Sequence, residues 1–215
     1  TIATWFQSWG HPPALIPVAG PSCSGKTTLA RALLTFLHGS ATVLSMDSYY
    51  RDLSPLSPTE KANFNFDNPE ALDYPLLSRD LGLLSAGHPV TIPVYDFATH
   101  ARQATTEHIE PTIFIIVEGL FALYWPEINT LYSLRIFIDT DDTTCLNRRI
   151  ARDAAERGRS AATIHTQYIE HVRPMYDRFI KPTSHNADLH LDGNSLISKQ
   201  TRGIVQWIGN NLPKY

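Results

Sequence analysis

The pattern of apolar and polar positions predicts strands and helices that alternate along most of the chain. Apolar runs of strand length are typical of buried strands, and apolar residues that recur every three or four positions mark one face of a helix. The predicted strands cover residues 14–19, 42–46, 90–97, 105–109, 112–117, 134–138 and 188–191. The predicted helices cover residues 26–38, 69–84, 141–156, 160–179 and a terminal segment from 195, and residues 55–69 are expected to form loop or short turns.

This order of elements predicts an α/β fold. Strands that alternate with helices favour a central parallel sheet covered by helices on both faces, which makes three layers. The strand at 90–97 is an exception, because 105–109 can pair back with it, and residues 90–110 are expected to form a small β-hairpin insertion. A chain of 215 residues fits a single domain over 1–215 and is too short for two full domains.

Composition narrows the class of protein. A hydrophobic fraction of 43% is typical of a folded globule, and a formal net charge of -3 gives no overall attraction to nucleic acid or to an anionic membrane. The longest mainly apolar run, 111–124, contains Glu118 and is too short to span a bilayer. No secretory leader pattern opens the sequence, and Cys23 and Cys145 do not make a disulfide framework. We therefore expect a cytoplasmic protein.

A glycine-rich segment at 20–27, Gly-Pro-Ser-Cys-Ser-Gly-Lys-Thr, lies between the first predicted strand and helix. Its spacing matches the P-loop, in which backbone N–H groups and a helix N-terminus surround phosphate oxygens. Lys26 is expected at the outer phosphates of a nucleotide, and the Thr27 hydroxyl is expected to bind Mg²⁺. The motif does not by itself distinguish a kinase from a GTPase or a motor ATPase. The predicted nucleotide-binding residues are Gly20, Pro21, Ser22, Cys23, Ser24, Gly25, Lys26, Thr27 and Thr28.

Two carboxylates follow predicted strands, at the edge of the sheet where open parallel sheets bind their ligands. We expect Asp47 to be the general base that takes the proton of an attacking hydroxyl, and Glu118 to join the Mg²⁺ shell. The alternative is that each carboxylate only caps the next element. Asp139 has a similar position, but we expect it to cap the helix that begins at Asp141.

An arginine cluster occupies the region of the two predicted helices between 141 and 179. Its spacing, with a glycine between two arginines at 157–159, suits a helical lid over residues 148–165 that closes on a nucleotide and neutralises charge on the transferred phosphoryl group. The alternative is a solvated helix whose arginines pair with Asp153 and Glu156. The cluster consists of Arg148, Arg149, Arg152, Arg157 and Arg159.

Several segments in order resemble the uridine kinase (uridine–cytidine kinase) family of P-loop kinases, from about residue 15 to residue 192. Besides the P-loop, these are Met-Asp-Ser-Tyr-Tyr at 46–50 and Asn-Phe-Asp-Asn-Pro-Glu-Ala-Leu-Asp at 65–73. Pro-Val-Tyr-Asp-Phe-Ala-Thr-His-Ala-Arg at 93–102 is the most telling segment, since it belongs to the nucleoside side of the family's site. Glu-Gly-Leu-Phe-Ala-Leu at 118–123 and the arginine-rich stretch 148–159 complete the set.

The resemblance implies a P-loop kinase that phosphorylates the 5′-hydroxyl of uridine or cytidine with ATP or GTP and Mg²⁺. It implies that Asp47 is the base that also contacts ribose and metal, that Thr27 and Glu118 complete the metal site, and that Lys26, Arg152 and Arg157 act on the phosphates. The positions that match the nucleoside pocket are Asp47, Tyr50, Phe66, Asp67, Tyr95, Phe97, His100, Arg149, Arg159 and Gln167.

Other functions stay open at this point. Related kinases of the phosphoribulokinase or pantothenate kinase type share the fold and the loop, and a nucleotide-binding regulator without turnover is a third possibility. Core packing competes with nucleoside binding for Tyr95 and Phe97, which share one face of a strand. The family implies a homo-oligomer, which this sequence does not test. Tyr49 stands where the family usually has phenylalanine.

Overall fold

The computed structural model describes residues 11–212, apart from the side chains of Ala62, Glu156 and Arg157. Within this range, five parallel strands form the central sheet in the order β2-β5-β1-β6-β7. The middle strand is buried along its whole length between its two neighbours. These strands are β1 (Ala14–Ala19), β2 (Ala41–Ser45), β5 (Phe114–Glu118), β6 (Ile136–Asp139) and β7 (Leu189–Asp192). The predicted α/β fold with a parallel sheet is confirmed.

Helices lie on both faces of the sheet because side chains alternate along each buried strand. Leu15 and Ala19 of β1 belong to one apolar cluster, whereas Ile16 and Val18 belong to another. The α-helices are α1 (Lys26–Phe36), α2 (Pro58–Ala62), α3 (Tyr74–Ser85), α4 (Pro126–Asn129), α5 (Asp142–Arg157), α6 (Ala161–Gln167), α7 (Arg173–Met175) and α8 (Ile197–Asn211). Helices α1 and α8 cover the second cluster, and α3 covers the first.

An antiparallel hairpin of β3 (Val90–Asp96) and β4 (Ala101–Ile109) stands outside this sheet. Its second strand begins four residues before the predicted 105–109, because Arg102 pairs with Tyr95 across the hairpin. The Arg102 side chain also donates hydrogen bonds to the carbonyls of Tyr49 and Tyr50, at 3.3 and 3.0 Å. These bonds connect the hairpin to the segment that follows β2.

The helix predicted over 69–84 begins later, at Tyr74. Residues Pro69–Ala71 form a 3-10 turn, after which the Asp73 backbone N–H donates to the Tyr49 carbonyl at 2.8 Å and interrupts the helical pattern. The Asp73 carboxylate then accepts from the Leu76 N–H and caps α3. The segment 55–69 contains one short helix, α2, within its turns.

The prediction for Asp139 is wrong. Asp141 caps α5 by accepting from the Thr144 N–H, because its side chain lies just before the first helical turn. Asp139 instead pairs with the His190 ring on β7, at 2.9 Å.

The helix predicted over 160–179 is irregular and extends beyond its predicted end. Two π-helical segments, Tyr168–Val172 and Tyr176–Ile180, flank α7, and a 3-10 stretch follows over Lys181–Asn186. Pro174 lies within α7 and lacks the N–H that a regular α-helix would use there. Among residues 11–212, no helix has both the length and the apolar character needed to cross a membrane.

Candidate active site

A cavity of about 710 Å³ lies over the carboxyl ends of the central strands. Most of the predicted site residues line it, which places the P-loop, the strand-end carboxylates, an aromatic group and the arginines around one space. The predicted residues in its wall are Ser22, Cys23, Ser24, Gly25, Lys26, Thr27, Thr28, Asp47, Tyr50, Phe66, Asp67, Phe97, His100, Glu118, Arg149, Arg152, Arg159 and Gln167. Gly20, Pro21 and Tyr95 do not line the cavity, and the side chain of Arg157 lies outside the described part of the chain.

The P-loop backbone has positive φ angles at Gly20 and Gly25, a conformation that glycine adopts more readily than other residues. Gly20 has a φ of 147°, and a Cβ there would lie 2.6 Å from the Ile138 carbonyl oxygen. Lys26 Nζ donates to the carbonyls of Gly20 and Pro21, at 3.0 and 2.7 Å, so that the loop wraps around its own lysine. Burial lowers the pKa of Lys26, and the neighbouring carboxylates of Glu118 and Asp47 oppose this effect. The same ammonium can bind phosphate oxygens in place of these carbonyls.

Oxygen atoms from three elements converge beside the loop. The Thr27 hydroxyl donates to Glu118 Oε2 at 3.3 Å, and the Ser45 hydroxyl donates to Glu118 Oε1 at 2.7 Å. Gly119 permits this approach, since a Cβ there would lie 2.6 Å from Met46 Cβ. Hydroxyl and carboxylate oxygens of this kind suit Mg²⁺.

Within residues 11–212, no group of three or more histidine, cysteine, aspartate or glutamate side chains could hold a metal by itself. A Mg²⁺ ion at Thr27, Asp47 and Glu118 would therefore complete its shell with phosphate oxygens and water, as is usual for Mg²⁺ at nucleotide sites.

Asp47 lies in the 3-10 turn Met46–Tyr49, directly after β2. The Ser45 side chain accepts from the Asp47 N–H at 3.4 Å and caps this turn, so Ser45 fixes both Asp47 and Glu118. Burial raises the pKa of the Tyr50 phenol well above its ordinary value, and the carboxylates of Asp47 and Asp67 add to the effect. The Tyr50 hydroxyl therefore stays neutral and can donate a hydrogen bond. It donates to the Phe66 carbonyl oxygen at 3.1 Å.

Aromatic rings form the side of the cavity next to Asp47. The Tyr50 ring contacts Phe66 and Phe97, with centroids 5.4 and 5.8 Å apart, and Phe66 stacks on the His100 ring at 4.9 Å. His100 has a φ of 55°, in a turn that brings its ring back over Phe66. Tyr95 supports this group from behind, at 5.5 Å from Tyr50.

Charged and amide side chains from α5, α6 and the connection between them form another wall. Arg149 donates to the Ser22 hydroxyl at 3.2 Å, and Arg159 donates to Gln167 Oε1 at 3.2 Å. Arg152 pairs with the fully buried Asp153 at 2.7 Å. The solvated-helix alternative expected a pairing with Asp153, but Asp153 is buried rather than solvated and Arg152 also lines the cavity.

Asp67 also lines the cavity and interacts electrostatically with Arg149 and Arg152. Burial raises the pKa of its carboxyl group, and Arg149 and Lys26 oppose that effect most strongly.

Sequence patterns did not assign several wall residues. Arg148 was recognised in the arginine cluster, but its contacts were not predicted: it donates to the carbonyls of Cys23, at 3.4 Å, and Gly193, at 3.0 Å. Ser45 does not line the cavity but bonds to Glu118, and no sequence pattern identified it apart from its place two residues before Asp47. The wall residues without a sequence-based assignment are Lys61, Asn63, Phe64, Asn65, Gly119, Leu120, His171, Gly193, Ser195, Ile197 and Gln200.

Comparison with known proteins identifies the family of this chain. The model of the phosphoribulokinase / uridine kinase family matches residues 15–196. A uridine kinase of Chloroflexus aggregans is 44% identical over 182 residues, which cover 84% of this chain and 87% of that protein. A uridine kinase of Lactobacillus helveticus is 40% identical over 179 residues, 82% of this chain and 85% of its own.

Solved structures agree on the fold. A possible uridine kinase from Bacillus stearothermophilus superposes with a TM-score of 0.63 at 20% identity and covers 89% of this chain and 95% of its own. Phosphoribulokinase from Rhodobacter spheroides gives 0.65 at 16% identity over 86% of this chain and 73% of its own. The family match and the curated relatives carry the assignment further: this chain is a kinase that belongs to the phosphoribulokinase / uridine kinase family.

Proposed function

We propose that this kinase transfers the γ-phosphoryl group of ATP to the 5′-hydroxyl of a pyrimidine ribonucleoside, uridine or cytidine, with Mg²⁺ as cofactor. The observation that carries the proposal is the position of Asp47, which lies in one cavity wall between the P-loop and the aromatic group of Tyr50, Phe66 and His100. Relatives named uridine kinase, at 40 to 44% identity, support the same substrate class.

The aromatic side of the cavity suits a nucleoside. The faces of Phe66 and Phe97 can stack on a pyrimidine, and the ring nitrogens of His100 can hydrogen-bond its polar edge. Asp67 can accept hydrogen bonds from ribose hydroxyls, while Arg149 keeps its charge partly balanced. Arg159 and Gln167, which bond to each other, would close the nucleoside side of the pocket.

The chemistry follows from the same arrangement. The oxygen of the 5′-hydroxyl attacks the γ-phosphorus while Asp47 takes the hydroxyl proton. ADP leaves with the oxygen that had bridged its β-phosphorus to the γ-phosphorus. Lys26 contacts the outer phosphates, and Arg152 and Arg157 neutralise charge there when the 148–165 lid closes. Thr27, Asp47 and Glu118 would hold Mg²⁺, which neutralises phosphate charge when bound.

A second candidate is a kinase of a different hydroxyl, since the matching family also includes phosphoribulokinases. Steady-state ADP release with Mg-ATP separates the two, using uridine, cytidine, adenosine, ribulose 5-phosphate and pantothenate as acceptors. We expect turnover with uridine or cytidine, and none with Lys26→Met. Turnover confined to ribulose 5-phosphate or pantothenate would reject the proposed function, and ATP binding without turnover on any acceptor would favour a regulator.

A further inference from the structure

The order of strands separates two ends of the cavity. Asp47 follows β2 and Glu118 ends β5, both on one side of the P-loop strand β1, whereas Gly193 follows β7 on the other side. If phosphates occupy the P-loop and the accepting hydroxyl lies at Asp47, the base of the donor nucleotide extends toward β7. This step rests on the proposed function.

The β7 end of the cavity is built from the turn 193–195 and the start of α8. The turn lies against the P-loop, since a Cβ on Gly193 would come within 2.9 Å of the Ser24 carbonyl oxygen. Arg148 fixes it from the other side by donating to the carbonyls of Gly193, at 3.0 Å, and Ser24, at 3.5 Å. Ile197 and Gln200 of α8 complete this part of the wall.

The Gln200 amide has only one satisfactory orientation. Its Nε2 donates to the carbonyl oxygens of Asp192, at 2.8 Å, and Ser195, at 3.3 Å. A flipped amide would place Oε1 against these two acceptors, so the carbonyl oxygen must point away from them. The residue is 6% exposed, and no donor within residues 11–212 reaches its Oε1. A buried acceptor without a donor costs free energy, which a ligand N–H can recover.

We propose that Gln200 is a specificity-determining residue for the donor nucleotide, and that its Oε1 accepts a hydrogen bond from the 6-amino group of adenine. Guanine carries a carbonyl oxygen at that position, which would place two acceptors against each other. Because Oε1 is covered from solvent, the base reaches it only after a side-chain or turn adjustment of the size that binding commonly brings. The site therefore selects ATP over GTP.

The test compares nucleotides that differ at this one group. Dissociation constants of ATP, GTP and purine riboside 5′-triphosphate are measured by titration calorimetry with Mg²⁺ and without nucleoside. We expect the wild type to bind ATP about tenfold or more tightly than either analogue, since each leaves the buried acceptor unpaired. Equal affinities for ATP and purine riboside 5′-triphosphate would overturn this inference alone, whereas absence of binding by every nucleotide would overturn it together with the proposed function.

Gln200→Met and its control Gln206→Met complete a thermodynamic cycle. Both residues lie on α8, but Gln206 is exposed and does not line the cavity. Gln200→Met should reduce the preference for ATP over purine riboside 5′-triphosphate to within about twofold, and Gln206→Met should retain the wild-type preference. A Gln200→Met variant that weakens all three nucleotides equally, and so retains the preference, would assign Gln200 a structural role and overturn the proposal.

Discussion

The Thr27 hydroxyl donates a hydrogen bond to Glu118 Oε2 at 3.3 Å, which connects the first turn of α1 to the last residue of β5. The second carboxylate oxygen accepts from Ser45 at 2.7 Å, so Glu118 is fixed from both sides. A carboxylate held in this way keeps its orientation without a cation. In the proposed metal site, it would therefore be a preformed ligand for Mg²⁺ rather than one that must be ordered on binding.

Glu118→Gln should raise the Mg²⁺ concentration for half-maximal phosphorylation by roughly 10- to 100-fold, because the amide keeps the shape but removes the negative charge. Glu107→Gln, on the exposed part of β4, is the matched control and should leave the Mg²⁺ titration unchanged. Superimposable titrations for wild type and Glu118→Gln would remove Glu118 from the metal site.

Asp47→Asn should lower kcat by roughly 10²- to 10⁴-fold, because asparagine cannot accept the hydroxyl proton. ATP affinity should stay close to the wild-type value, as measured by calorimetry. Asp139→Asn is the control, since Asp139 also ends a central strand but does not line the cavity. A kcat for Asp47→Asn near that of Asp139→Asn would contradict the assignment of Asp47 as the base.

His100→Ala should raise the KM for uridine and cytidine by about five- to tenfold, with a smaller change in kcat. The variant loses both the stack on Phe66 and a hydrogen-bonding group, which together correspond to about 1 kcal/mol or more. His108→Ala, on the exposed face of the same hairpin, should have the wild-type KM. Unchanged KM values and an unchanged uridine-to-cytidine ratio in His100→Ala would exclude this histidine from the pocket.

Features that depend on a local pattern of residues could be predicted from the sequence. Apolar runs predicted the central strands, and the residues directly after them, Asp47 and Glu118, were expected at the cavity and line it. Contacts between distant segments have no local pattern. Arg148 and Cys23, for example, are 125 positions apart, and their hydrogen bond depends on how α5 packs across the P-loop. The Gln200 contacts depend in the same way on the turn after β7, which no periodicity predicts.

Tyr49→Phe should destabilise the fold by about 1.5–3 kcal/mol, the usual worth of a hydrogen bond to a charged group. The Tyr49 hydroxyl donates at 3.0 Å to the carboxylate of Asp80, which has no solvent exposure and also pairs with Arg79 at 2.7 Å. Urea unfolding measures the change, and Tyr74→Phe is the control because its hydroxyl bonds to the exposed Glu127. Equal losses of unfolding free energy in the two variants would show that the burial of Asp80 does not strengthen its hydrogen bond with Tyr49. Kinase activity should persist, since the family usually has phenylalanine at position 49.

Asp67 is expected to serve nucleoside binding at the expense of stability. Burial raises the pKa of its carboxyl group above the ordinary value, so the folded protein binds this proton more tightly than the unfolded chain does. The contribution of Asp67 to folding is therefore greatest at acid pH, below the ordinary pKa, and is lost as the pH rises through the raised pKa. Above the ordinary pKa, burial therefore makes ionisation of this carboxyl group less favourable in the folded protein than in the unfolded chain.

Asp67→Asn should consequently gain in Tm relative to wild type as the pH rises from about 4 to about 7, while its KM for uridine increases. Asp96→Asn provides a control of opposite sign, because hydrogen bonds from the Ala98 N–H and the Thr99 hydroxyl lower the pKa of Asp96. That variant should lose Tm relative to wild type chiefly as the pH rises from below the lowered pKa of Asp96 to its ordinary value of about 4. Thermal unfolding across pH measures both differences, and a constant difference for Asp67→Asn would contradict the raised pKa. A higher Tm with an unchanged KM would place Asp67 outside the nucleoside pocket.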